Sequence, residues 1–140
     1  MSKYAAIVEW LSEYKPSYGW IFFNYNPSED ETLSLNSISS SREEKRFIDG
    51  SKEVSLLFAI VLMKKYDTGT NDVNLDAMNE NEQLMKWVEE RNKAKDFPNL
   101  GDNVTVKEIE CLESSPSVLV DNDENLAKYQ TQFHIIFREV

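Results

Sequence analysis

The order of hydrophobic patterns along this chain predicts an α+β fold: a mostly antiparallel sheet of about five to six strands with two helices packed on it, in the order α-β-β-β-β-α-β-β. Three observations lead there. Val54–Met63 is the most continuously apolar run, and its β-branched and aromatic residues favour strand over helix. The segment 126–138 alternates, with Tyr129, Thr131, Phe133, Ile135 and Phe137 on one side and Gln130, Gln132, His134, Ile136 and Arg138 on the other. Helical spacing marks two further stretches, near residue 4 and after residue 74.

Each element follows from its own residues. Tyr4, Ile7, Val8, Leu11 and Tyr14 form one apolar helical stripe, ended by Pro16 and Gly19. Trp20 to Asn26 is aromatic and β-branched, a strand stopped by Pro27. After the polar loop Ser28–Glu31, Leu33 and Leu35 alternate with polar neighbours and give a second strand. Arg42 to Ile48 is a charged strand of the kind that protects a sheet edge. Asp49-Gly50 then predicts a type I′ hairpin into the apolar run, pairing Ile48 with Ser51 and Arg46 with Glu53. An apolar run without alternation is a strand buried on both faces, or one with a core on one side and a partner on the other.

Asp67–Asp72 is a loop. Asn74 is placed to cap a helix running to about Lys93, with Leu75, Met78, Met85 and Val88 on its stripe, Leu84 and Trp87 beside it, and Glu82 interrupting. Phe97-Pro98 ends that segment. Val104 and Val106 alternate, then Ile109 and Cys111 alternate one step out of phase, the signature of a bulged strand. Glu113 to Asn125 reads as a long loop before the last strand.

Length and charge narrow the function classes. The 140 residues suit a single domain, 1–140, able to bury roughly two-thirds of its unfolded surface. Twenty-five acids against fifteen bases give a net charge of −10, which argues against a duplex-binding basic face. One cysteine excludes an internal disulfide, and the N-terminal residues lack the basic-then-apolar pattern of a secretory signal, so the Asn103-Val104-Thr105 sequon is expected to be silent. The ten-residue apolar run falls short of the about 20 residues a membrane helix needs.

No catalytic constellation emerges. His134 is the only histidine and lies on the more polar side of its strand, a solvent-facing or interface position. Cys111 reads as a small core residue with no marked base or cation beside it. Phosphate loops, nucleophile elbows and Cys or His pairs at metal spacing are absent from the sequence, so no catalytic, cofactor or metal residues are assigned. Asp121-Asn122-Asp123-Glu124-Asn125 supplies oxygens at the first three EF-hand ligand positions. Leu126 then stands where the glycine is needed and Gln132 where the bidentate glutamate is needed. A solvated turn fits better, with weak divalent binding as the alternative. Glu43-Glu44 and Glu89-Glu90 read as solvated faces.

The order of several short pieces resembles a known family. Phe97-Pro98-Asn99-Leu100, Val104-x-Val106-x-x-Ile109, Pro116 and Glu124-Asn125-x-Ala127-x-Tyr129-Gln130-x-Gln132-Phe133 follow one another in the C-terminal third. Upstream come Phe47-Ile48-Asp49-Gly50-Ser51, a long strand ending Lys64-Lys65-Tyr66, and the helix from Asn74-Leu75 to Trp87-Val88-Glu89-Glu90. The set resembles the tail terminator, or tail-completion, family of long-tailed bacteriophages and prophages, often labelled minor capsid protein in Gram-positive hosts. It covers most of residues 42–140; the first 40 match only in element order.

The resemblance implies a non-enzymatic structural protein of the virion, made in the host cytoplasm and built into the head–tail junction. It implies a small α+β domain forming a homohexameric ring, which in some members assembles only on the tail tube, at the tube's head-proximal end. There the ring stops tube polymerisation and docks the head–tail connector protein. The implied partners are other copies of the chain, the tail tube protein and the connector. DNA passes through without specific binding, and no membrane is involved.

A heterologous ring needs a patch on each side of every subunit, and an acidic lumen lets DNA slide past. The polar loops are the expected contact regions, with Thr68, Asn71, Asp72, Asp121, Asp123 and Glu124 as interface residues. The competing expectation is a small acidic binding protein, immunity- or antitoxin-like, that masks a basic partner. An enzyme built on His134 or Cys111 is the third.

Overall fold

A computed structural model of the chain describes residues 3–14, 21–27, 31–38, 43–67, 69, 71–121 and 125–140. The fold is α+β. Helix α1 (Lys3–Leu11) precedes strands β1 (Ile21–Phe23), β2 (Thr32–Ser37), β3 (Glu43–Arg46) and β4 (Lys52–Lys65). Helix α2 (Asp72–Lys93) follows, then β5 (Val104–Cys111), β6 (Ser117–Asp121) and β7 (Leu126–Glu139). The predicted order holds, with one more strand between β5 and β7.

The sheet is built around β4 and β7, which pair antiparallel along their whole length from Lys52↔Glu139 to Lys65↔Leu126. Each shares its other edge between two shorter strands. β2 and β3 line β4, β5 and β6 line β7, and β1 adds parallel to β2 at the far side. Both long strands are therefore internal, with both hydrogen-bonding edges paired.

One face of the sheet carries the core. Val54, Phe58, Ile60 and Leu62 of β4 meet Tyr129, Phe133, Ile135 and Phe137 of β7, with Phe58 stacked on its register partner Phe133 at 5.8 Å between ring centroids. Both helices cover this face. α1 contributes Ala6, Ile7, Trp10 and Leu11, and α2 contributes Ala77, Leu84 and Val88. The helices meet through aromatic contacts, Trp10 and Tyr14 against Trp87, and the Trp10 indole N–H donates to the Asp96 carbonyl at 2.8 Å. Burial, reinforced by the nearby Glu80 carboxylate, pushes the Tyr14 phenol up to about 12.

The alternation predicted for β7 holds: Tyr129, Thr131, Phe133, Ile135 and Phe137 are all buried. So does the bulge in β5, where the register shifts between Val106 and Glu108. Pro16, Gly19, Trp20 and Ser39–Ser41 lie outside the described residues.

Four local expectations are corrected. Ser117–Asp121, expected as loop, is strand β6. Its Val118-Leu119-Val120 run completes the edge of β7 that β5 leaves open. The Asp49-Gly50 hairpin closes one residue earlier than a two-residue turn requires. Phe47 and Ser51 flank it, so Arg46 faces Lys52, and Glu53 faces Lys45. Within this turn only Gly50 has positive φ, at 87°, and Asp49 Oδ1 accepts hydrogen bonds from both the backbone N–H and the hydroxyl of Ser51.

The α2 stripe is rotated as well. Ala77, Asn81, Leu84 and Val88 are buried, whereas Leu75 is 59% exposed. Asn81 fits inside because its amide donates to the Thr131 hydroxyl at 3.1 Å. Finally, Asn71 occupies the N-cap position, without a side-chain cap bond. Asn74 instead fastens the preceding loop, donating to the Asp67 carbonyl and accepting from the Asp67 N–H.

Candidate functional site

Because both helices cover one face, the opposite face of the sheet is where the described structure leaves function-bearing side chains. It divides into three zones. At one end Asn26 folds over β2 and β4. Its carbonyl oxygen accepts from the Ser34 hydroxyl at 2.7 Å, and its amide reaches Thr32 and the Val61 carbonyl. Ser34, Thr32, Ala59, Val61 and Met63 are buried there, so β4 is indeed buried on both faces over that stretch.

At the other end lies a charged network. Arg138 donates to Ser51 and Asp49, and Lys107 pairs with Glu53 across β7. The hydrogen bonds from Ser51, with the Arg138 charge, hold the Asp49 carboxyl below its usual range.

The middle zone combines apolar and titratable groups. Leu57 faces His134 across the β4–β7 pair, and Ile136 lies two residues further along β7. From β5, Glu110 stands directly opposite His134, with Nε2 and Oε2 3.1 Å apart, and Glu108 stands opposite Ile136. The ligating atoms of Glu108, Glu110 and His134 all lie within 4.8 Å of one another. The sequence marked His134 as facing solvent or a partner. It did not bring Glu108 and Glu110 to it.

Cys111 is on the other side of β5, register partner of the core residue Phe133. Its thiol donates to the Glu113 carbonyl at 3.1 Å, and burial pushes the thiol pKa up, against thiolate formation. His134 points away from it, so the two do not form a nucleophile–base pair. Cys111 lines a groove between α2 and β5 together with Glu82, Lys86, Glu89, Glu110 and Glu113, four carboxylates around one ammonium.

The expected interface residues are partly visible. Thr68, Asp123 and Glu124 lie outside the described residues; Asp121 closes β6 by pairing with Leu126, and its side chain is likewise outside. Asn71 and Asp72 are exposed at the start of α2, where a carboxylate is favoured by the helix dipole. Asn71 lines a small apolar groove with Tyr66, Leu75, Met78, Val118 and Tyr129. The fold thus brings Tyr66 and Asn71 beside Val118 of β6.

Sequence reading missed the exposed apolar residues at the two sides of the sheet. Val118, Leu119 and Val120 of β6, Leu119 being 70% exposed, lie with Leu75 at one side. Phe23 and Tyr25, the latter 58% exposed, lie at the β1 side. The alternation within each segment was too short to reveal which residues would stay in water.

Among the described residues, no helix is long and apolar enough to cross a membrane. Compared with protein-family models and with curated proteins, the chain matches none.

Proposed function

We propose that this chain is a ring-forming structural protein of a phage or prophage virion. It caps the head-proximal end of the tail tube, stops tube polymerisation and joins the tail to the head connector. The observation that carries this reading is the placement of exposed apolar residues at opposite sides of the sheet, Phe23 and Tyr25 at β1 and Val118, Leu119 and Val120 at β6. A head-to-tail ring needs two different surfaces of this kind on every subunit. The ordered sequence pieces from Phe47 to Phe133 support the same reading, as does a net charge of −10, which lets packaged DNA pass without phosphate contacts holding it.

Electron microscopy of particles from the source phage with this gene interrupted tests the proposal. Unjoined heads and tails of abnormal length are the expected result; normal virions overturn it.

The acidic groove between α2 and β5 favours a second reading, a binding protein that masks a basic partner. That reading expects a one-to-one heterodimer whose association rate falls steeply with salt. A rate insensitive to salt would remove it.

A further inference from the structure

We propose that Glu108, Glu110 and His134 form a site for a late first-row divalent cation, with Zn2+ as the fitting ion. This inference stands independently of the capping role. Its starting point is the bulge in β5. Val104 and Val106 oppose Glu139 and Phe137, and unbroken alternation would carry Glu108 and Glu110 onto the core face. The extra residue at 107 reverses the phase. Ile109 turns inward and is buried, while Glu108 and Glu110 turn out beside His134. Burial of Ile109 alone accounts for the bulge as packing. The same phase reversal sets two carboxylates on the face that carries the chain's single imidazole.

The geometry is that of three ligands on two rigid strands. Glu108 and Glu110 are two residues apart on one face of β5, and His134 is the direct cross-strand partner of Glu110. Glu108 is its diagonal neighbour, within reach for a side chain of that length. A tetrahedral ion with bonds of about 2.1 Å spaces its ligand atoms about 3.4 Å apart. Nε2 of His134 and Oε2 of Glu110 are already 3.1 Å apart, and all three ligand atoms fall within 4.8 Å. Closure needs only rotation about glutamate side-chain bonds, with the backbone left in place.

The donor set selects the ion. One imidazole and two carboxylates suit zinc and its neighbours, whereas magnesium and calcium favour all-oxygen shells. Glu108 has no ion-pair partner among the described residues, so its carboxylate can turn to a cation without breaking an existing pair. The His134 side chain is 20% exposed and Glu110 more so, which leaves a path for the ion and a solvent side for water as fourth ligand. Bound there, the ion would pin the part of β5 beyond its bulge to β7.

The test is isothermal titration of the full, tag-free chain with zinc chloride, and separately with magnesium chloride. One saturable zinc site is expected, weakened more than tenfold by His134→Ala and by Glu108→Gln, and unchanged by Cys111→Ser. Zinc should raise the thermal midpoint of the parent chain and leave that of His134→Ala unmoved. Glu108→Gln removes a carboxylate outside any described ion pair, so it separates ligand loss from misfolding, with circular dichroism as the check. Absence of saturable zinc binding overturns the proposal. So does zinc binding that survives both ligand substitutions, and so does a site that takes magnesium equally well.

Discussion

Replacing Asn81 and Thr131 together by Leu and Val should stabilise the protein. Both residues are fully buried, on facing surfaces of α2 and β7, and are linked by one hydrogen bond of 3.1 Å. The Asn81 Oδ1 has no hydrogen-bond partner among the described residues. A buried polar group left unpaired costs about 1–3 kcal/mol, whereas a typical hydrogen bond contributes about 1 kcal/mol net. Leu has the branched skeleton of Asn and Val that of Thr, so the double substitution preserves shape while removing every polar atom of the pair.

The expected gain is about 1–2 kcal/mol, or about 3–6 °C in thermal midpoint for a domain of this size. Thr131→Val alone should destabilise by about 1–3 kcal/mol, because it leaves the Asn81 amide only the 3.5 Å contact to the Met85 sulfur. Asn81→Leu alone removes one unpaired atom and strands another, so it should fall within about 1 kcal/mol of the parent. Urea unfolding followed by far-UV circular dichroism measures all four corners of this cycle, with the slope against denaturant expected to be unchanged. A double variant less stable than the parent would refute the reasoning.

Two further outcomes follow from single groups. Gly50 has φ of 87° and open space where a Cβ would stand, so Gly50→Ala should cost about 1–2 kcal/mol through backbone strain alone, and Gly50→Asn less; equal urea midpoints for Ala and Gly would contradict this. Glu139 has its carboxyl pKa lowered by hydrogen bonds from Lys3 and Lys52, at 2.7 and 3.3 Å. A lowered folded-state pKa gives stability that is present above the unfolded value near 4.5 and lost as pH falls through the folded one. Glu139→Gln should therefore be less stable than the parent at pH 6, with the gap closing as the pH drops below 4.5; a gap that stays constant in a stability–pH series would rule the linkage out.

Local patterning was enough for the fold class, the element order and the two-faced character of β7. It also determined the bulge of β5, because the phase change between Val106 and Ile109 is written in consecutive residues. These are local properties, set by side-chain periods of 2 and 3.6 residues.

Tertiary structure decided what those periods leave open. The α2 stripe rotated onto Asn81 because a partner hydroxyl from Thr131, 50 positions away, was there to receive it. Ser117–Asp121 became a strand because β5 covers only part of β7's edge. The hairpin slipped by one residue because the Asp49 carboxylate held the Ser51 N–H and hydroxyl in a longer turn. The meeting of Glu108 and Glu110 with His134 depends on register between strands that are distant in sequence. Register is set by how whole faces bury against each other, and no window of neighbouring residues contains that information.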